Sequence, residues 1–324
     1  MTTRSIAAVS PDTFRKSLRA VRKRPKQQPA PHSALRRLVA RHPVATFLIM
    51  AFTVSITIAF VRLRTNGDIP QSPYYQYSLV FLEHLFSVAL PAFLVVAAMH
   101  GKAGVQDLVQ RSLRWRVGAH WYLIALLGLP IASVLCASVI YGVAPLNALV
   151  DNWQLLFTLI LPSLLIRIVF LNTIEEIGWL GFLQARLQDE HGPWKACLLV
   201  EIPFALWHLP GLLGDTGGQL SLALIYTGVF AIFQLCGRFV MMWLYNNTNR
   251  SVLLVGLFHA TYNTTINTYA GEFIPVPAEP WFFIVSGVVA VAAVLIVVFT
   301  RGRLSYKPNH VSQIADAPPL GVPL

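Results

Sequence analysis

Charge is scarce in this chain: only 12% of its 324 residues are Asp, Glu, Lys or Arg, about half of what a soluble domain carries. Hydrophobic residues make up 55% and the mean hydropathy is +0.59. So few charges cannot cover a water-facing surface, which excludes an ordinary soluble globule. Ten-residue segments of alternating polarity are missing as well, and that excludes a membrane β-barrel. Cysteine is sparse. Cys136, Cys197 and Cys236 all fall in apolar segments without a close-spaced partner, so neither a disulfide framework nor a CxxC site is expected. There is no internal repeat, and the amino end lacks the small-residue cleavage site of a removed signal peptide.

What is abundant is apolar runs of about 20 residues, each long enough to cross about 30 Å of hydrocarbon. They predict an all-α fold, a polytopic transmembrane helix bundle of about eight spans. The spans are expected near Pro43–Val61, Tyr77–Met99, His120–Tyr141, Trp153 towards Glu175, Trp194–Leu213, Leu220–Tyr245, Ser251–Thr268 and Pro280–Thr300. Residues 1–42 hold eleven Lys/Arg against the single acid Asp12. They are expected to form a disordered cytoplasmic tail that touches anionic lipid and binds no nucleic acid. Residues 43–150 form the amino-terminal helices, within which Val105–Trp115 has the apolar spacing of a helix lying on the inner membrane surface. Residues 151–270 form a core, 271–300 the last helix, and 301–324 a second disordered tail. Loop charges, including Lys102, Arg111, Arg114 and Arg116 on one side and Asp151, Asp215, Glu272 and Glu279 on the other, place both termini in the cytoplasm. A bacterial plasma (inner) membrane is the expected location.

A charged side chain in mid-membrane costs roughly 2.5–3.5 kcal/mol, so ionisable residues within these runs need a reason. Asn172 to Leu187 reads NTIEEIGWLGFLQARL and carries Glu175 and Glu176 side by side where an apolar run is ending. Phe204 to His208 reads FALWH, inside the fifth predicted span, and His259 to Asn263 reads HATYN, inside the seventh. Residues four apart share a helix face, so His259 and Asn263 project together. Taken singly, each element has a structural reading: a wet helix-end cap for the glutamates, an interhelical hydrogen bond for the others. Together they supply two carboxylates, two imidazoles and an amide, the ingredients for activating water and stabilising an oxyanion. Glu83, His84, Arg167 and Arg238 read as bundle contacts or charge partners. Glu201 lies seven residues before His208, on nearly the same face, where it could line an entry from the cytoplasm.

These three elements resemble the CAAX protease and bacteriocin-processing family of intramembrane proteases, whose pattern runs EExxxR, FxxxH and HxxxN or HxxxD. Here they stand as EEIGWL, FALWH and HATYN. The resemblance implies an endopeptidase acting on a membrane-bound peptide or protein. Glu175 would activate water with His208, and His259 and Asn263 would stabilise the oxyanion, with Glu176 as the second carboxylate. The chain departs from the pattern at Leu180, where an arginine is expected to hold Glu176. Either a nearby cation such as Arg186 takes that place or the activity is weakened. Glu175, His208 and His259 also make a set that binds zinc elsewhere, but they lack the HExxH spacing. Water activation without a metal is the expectation, and a divalent metal such as zinc the alternative. A proton- or ion-coupled transporter, or a scaffold or immunity protein on a weakened protease frame, would draw on the same residues.

Overall fold

Residues 33–64, 73–271 and 273–308 are described by a computed structural model of the chain. The expectations for residues 1–32, Glu272 and the tail beyond residue 308 fall outside the described residues. Helices follow one another along the chain: α1 (Ala34–Arg41), α2 (Pro43–Arg64), α3 (Tyr77–Ser112), α4 (Ala119–Tyr141) and the short α5 (Ala144–Asp151). Then come α6 (Leu156–His191), α7 (Pro193–Asp215), α8 (Leu220–Asn247), α9 (Val252–Thr268) and α10 (Ala278–Phe299). Among the described residues the only pairing of strand type is an isolated bridge between Ala270 and Ile274. The fold is an all-α polytopic bundle.

Seven of these helices, α2, α3, α4, α6, α7, α8 and α10, are long and apolar enough to cross a membrane. The remaining predicted span, Ser251–Thr268, forms α9, which has 17 residues and a length of about 25 Å. It does not have to match the lipid by itself. α4, α6, α8 and α10 enclose it, and its inward residues from Val252 to Thr265 are buried.

One boundary differs from the sequence expectation. The predicted fourth span does not end at the glutamates: α6 runs on for 36 residues. It begins at Leu156 and, after Pro162 in its second turn, meets no further proline before Gly192 (φ 82°) and Pro193 end it. The glutamates therefore lie in mid-helix. Phe157, Leu161, Leu165, Val169 and Phe170 are exposed on the first half of α6, whereas nearly every residue from Leu171 to Ala185 is enclosed by protein. α3 is two helices joined at a break at Gly101 (φ 60°, ψ −150°), a conformation that only glycine adopts readily, and the second runs to Ser112 over most of the helix expected at Val105–Trp115. Beyond the break the helix turns Leu108 inward, and Leu113 and Trp115 just past its end are exposed.

The segment of α6 around the glutamates is wider than an α-helix. π-helical turns span Arg167–Asn172 and Ile177–Gln184, on either side of Thr173–Glu176. Such turns shift backbone carbonyls out of register. The Gly181 carbonyl accepts a 2.7 Å hydrogen bond from Arg111 Nη1 of α3, which also reaches the Tyr245 hydroxyl of α8 at 2.8 Å.

Two glycines set how closely neighbours approach this segment. A Cβ at Gly178 would fall 2.7 Å from the Val88 carbonyl oxygen of α3. One at Gly256 of α9 would fall 2.8 Å from the Thr173 Cα of α6. Without lipid-excluding hydrophobic gain between helices, such small-residue contacts carry much of the packing. Gly256→Val should therefore lower the thermal midpoint in lipid or detergent, at a cost of about 1–3 kcal/mol. Gly228→Val should leave it near wild type, because nothing lies within 4 Å of its Cβ position. Equal midpoints for the two variants would show that α6 and α9 do not depend on this contact.

Candidate active site

Three adjacent helices converge on the middle of α6. Glu175 is 2% exposed and Glu176 0%, so neither is the wet cap that a helix end would have allowed. Buried carboxylates need partners, since desolvation alone costs several kcal/mol per ion.

Glu176 has them. Its Oε1 accepts a 2.8 Å hydrogen bond from His259 Nδ1 of α9, and its Oε2 lies 3.9 Å from Arg238 Nη1 of α8. A carboxylate only accepts, so Nδ1 carries the proton and Nε2 remains as the other ring nitrogen. Glu175 is held more loosely. Its Oε2 accepts from Asn172 Nδ2 at 3.4 Å and lies 3.8 Å from His259 Nδ1. Its Oε1 has no hydrogen-bond partner and faces His208 Nε2 at 3.9 Å.

His208 is fixed from its own helix. Nδ1 donates to the Phe204 carbonyl at 2.9 Å, which accepts only, so in the neutral ring Nε2 is an acceptor aimed at Glu175. The imidazole packs against the rings of Phe204 (4.6 Å between centroids), Trp207 (4.9 Å) and Phe230 (4.6 Å). Its side chain is 29% exposed, which makes this the open side of the cluster. Phe204 therefore does more than share a face with the histidine. It supplies the carbonyl and one of the packing rings, and it places its ring 4.2 Å from the Arg238 guanidinium carbon, a cation–π contact.

Four of the five candidate residues, Glu175, Glu176, His208 and His259, are thus linked by separations of 3.9 Å or less. Asn263 stands one turn beyond His259 on α9 and is half-buried. Its backbone carbonyl accepts from Asn267, and its side chain makes no hydrogen bond with the carboxylates.

Other residues fall differently from the sequence reading. Glu201 does not line an entry: it is 4% exposed and paired with Arg238 Nε at 3.3 Å. Arg186 does not stand in for the arginine expected at position 180, because it pairs with Glu190 on its own helix at 2.8 Å. Leu180 lies in the apolar core. His84 of α3 sits at the edge, with Nδ1 3.4 Å from the Leu171 carbonyl and its ring 5.4 Å from that of Trp207.

Sequence reasoning overlooked Asn172 and Gln184. Asn172 had a signal, since it precedes Glu175 by three residues and so shares its face. Gln184 Oε1, 3.3 Å from Arg238 Nη1, is recognisable only once α8 is packed against α6.

Among the described residues no three His, Cys, Asp or Glu side chains are gathered as a metal site requires. In the conditional ligand set Glu175, His208 and His259, the second member gives Nδ1 to a backbone carbonyl and the third gives Nδ1 to Glu176. Each histidine thus keeps Nε2 as the nitrogen it could offer a metal, with Nδ1–H held by an outer partner.

Comparison with known proteins agrees with the motifs. Residues 158–265 match the family described as "Type II CAAX prenyl endopeptidase Rce1-like", and all five candidate residues lie inside that match. The chain is also 20% identical over 221 residues to "CAAX prenyl protease 2" of Methanococcus maripaludis, an alignment covering 65% of this chain and 81% of the relative. With the glutamate pair and both histidines brought together from three helices, both matches support a likeness of this region to the CAAX protease and bacteriocin-processing family of intramembrane proteases.

Proposed function

We propose that this protein hydrolyses a peptide bond near the end of a membrane-anchored protein or peptide, with Glu175 as the general base. The observation that carries this reading is the unpartnered Glu175 Oε1 facing the acceptor nitrogen of His208 at 3.9 Å. That gap is too long for a direct hydrogen bond and about right for a shared water. Both flanking atoms accept, so a water between them directs its two hydrogens at Glu175 and His208 and leaves a lone pair for an electrophile. As that lone pair attacks a carbonyl carbon, Glu175 takes the proton and later returns it to the departing amine.

The other members of the cluster support the developing charge. Glu176 orients His259 through Nδ1, so that in the doubly protonated ring Nε2–H and the amide of Asn263 one turn away are the donors for the oxyanion. Donors of this kind, fixed in a water-poor site, are worth about 3–4 kcal/mol at the transition state. Asn263 need not touch the carboxylates for this role, and its partial exposure leaves it available to substrate. The substrate would be a chain tethered to the bilayer, of the CAAX type that gives the archaeal relative its name. The loop charges orient the active side towards the cytoplasm of an inner membrane, with the basic amino-terminal tail against anionic lipid.

The test is cleavage of a fluorogenic peptide ending in a prenylated CAAX sequence by purified protein in lipid nanodiscs, beside the same peptide without its lipid. Glu175→Gln keeps the shape and removes the base, and should lower kcat/KM by about 10²–10⁴-fold. Wild type and Glu175→Gln cleaving at the same rate would end the proposal and leave transport or scaffolding as the function. A second expectation concerns His208→Ala, which removes the acceptor that orients the water. It should lower kcat by about a hundredfold with little change in the thermal midpoint, because the ring is the exposed member of the cluster.

A further inference from the structure

The family pattern places an arginine four residues after the second glutamate, on the same helix, and this chain has Leu180 there. We infer that Arg238 of α8 occupies the place of that missing arginine, as a positioning residue that holds Glu176 and, through it, His259 in line. The catalytic consequence rests on the endopeptidase reading above. The shared place rests on geometry alone.

Leu180 lies midway along α6 between Glu176, at the start of the π-helical stretch, and Gln184, at its end, which both turn towards α8. Arg238 Nη1 reaches both of them, Glu176 Oε2 at 3.9 Å and Gln184 Oε1 at 3.3 Å. Its guanidinium therefore spans the stretch of α6 in which position 180 stands. An arginine side chain growing from position 180 would start between those two partners, with the same carboxylate within reach. Only one such group fits, because a second would put two cations into one fully buried space.

Arg238 is 0% exposed, and its remaining contacts make it a fixed part rather than a stray charge. Nε meets Glu201 at 3.3 Å, and the guanidinium carbon lies 4.2 Å from the Phe204 ring centroid. Both partners sit on α7, three residues apart, on the face that also presents His208. One cation thus links the helix of the base, the helix of the water-orienting histidine and, through Glu176, the helix of His259. The planar guanidinium matters here. Lysine could supply the charge, but not separate contacts to Glu176, Gln184 and Glu201 at once.

The experiment compares wild type, Arg238→Met, Arg238→Lys, Arg186→Ala and the exchange Leu180→Arg/Arg238→Met in lipid nanodiscs. Each is read by thermal midpoint and by kcat and KM on the lipidated peptide. Arg238→Met should lower the midpoint and reduce kcat by about a hundredfold, with KM changed less than about threefold, as expected for a misplaced group that does not bind substrate. Arg186→Ala should match wild type in every reading. Restoring an arginine from the other helix, the exchange variant should recover much of both the midpoint and kcat, and Arg238→Lys should recover less.

An exchange variant no better than Arg238→Met in either reading overturns the shared place. A lowered midpoint with wild-type kcat in Arg238→Met reduces Arg238 to packing and overturns the positioning role. Should wild type itself cleave nothing, proteolysis fails, while the midpoint of the exchange variant still decides whether positions 180 and 238 serve one place. Where Arg238→Met does not fold, the same comparison is made with Arg238→Gln and with Leu180→Arg added to it.

Discussion

The pairing of Glu176 with Arg238 and His259 is the interaction on which the rest of this bundle depends. Taking a carboxylate and a guanidinium out of water carries a penalty of several kcal/mol each, which close and well-directed contacts have to offset. Here the offset comes from four helices at once. α6 provides the carboxylate, α8 the guanidinium, α9 the imidazole, and α7 both Glu201 and the Phe204 ring. Displacing any one of these helices would strand a buried charge. The close glycine contacts at Gly178 and Gly256 therefore act on electrostatics as much as on packing: they set the spacing at which these pairs can form.

The same network explains why two adjacent glutamates can differ. Glu176 has a 2.8 Å hydrogen bond from a ring N–H and a cation 3.9 Å from its other oxygen, which ties it into the ion cluster although it sits one residue from the proposed base. Glu175 has one weak amide contact and one oxygen without a partner. Adjacent residues on a helix point about 100° apart, so one faces the ion cluster and the other the open side beside His208. A neutral donor such as Asn172 can hold Glu175 in place without taking up the oxygen that has work to do.

Much of this was legible in the sequence, and the reasons are physical. Glutamate and histidine are rare in apolar runs because they cost so much there, so Glu175, Glu176, His208 and His259 declared themselves by context alone. Partnership across helices did not. Nothing in the sequence says which way α8 is rotated, so Arg238 looked like any charge in a long span, and Arg186 was the nearer candidate along the chain. The end of the fourth span was misread for a related reason. A pair of acids resembles a membrane boundary, yet the absence of proline from 163 to 192 was the better indicator that the helix continues. The enclosed α9 was found as a span because burial in protein and burial in lipid select the same residues.

The change of surroundings along α6 has a consequence for how reactants could meet. Up to Phe170 the helix offers apolar side chains to the outside, and from Leu171 onward it is sheathed in protein. Glu175 lies little more than one turn past that frontier. A hydrolysis that joins a greasy chain to a water molecule has one reactant soluble on each side of such a frontier, and neither can travel far into the other's territory. On the proposed endopeptidase reading, a carboxylate placed where the helix passes from one medium to the other would let the lipid-borne partner arrive along the bare half of α6, while the aqueous one would have only the protein-lined remainder to cross.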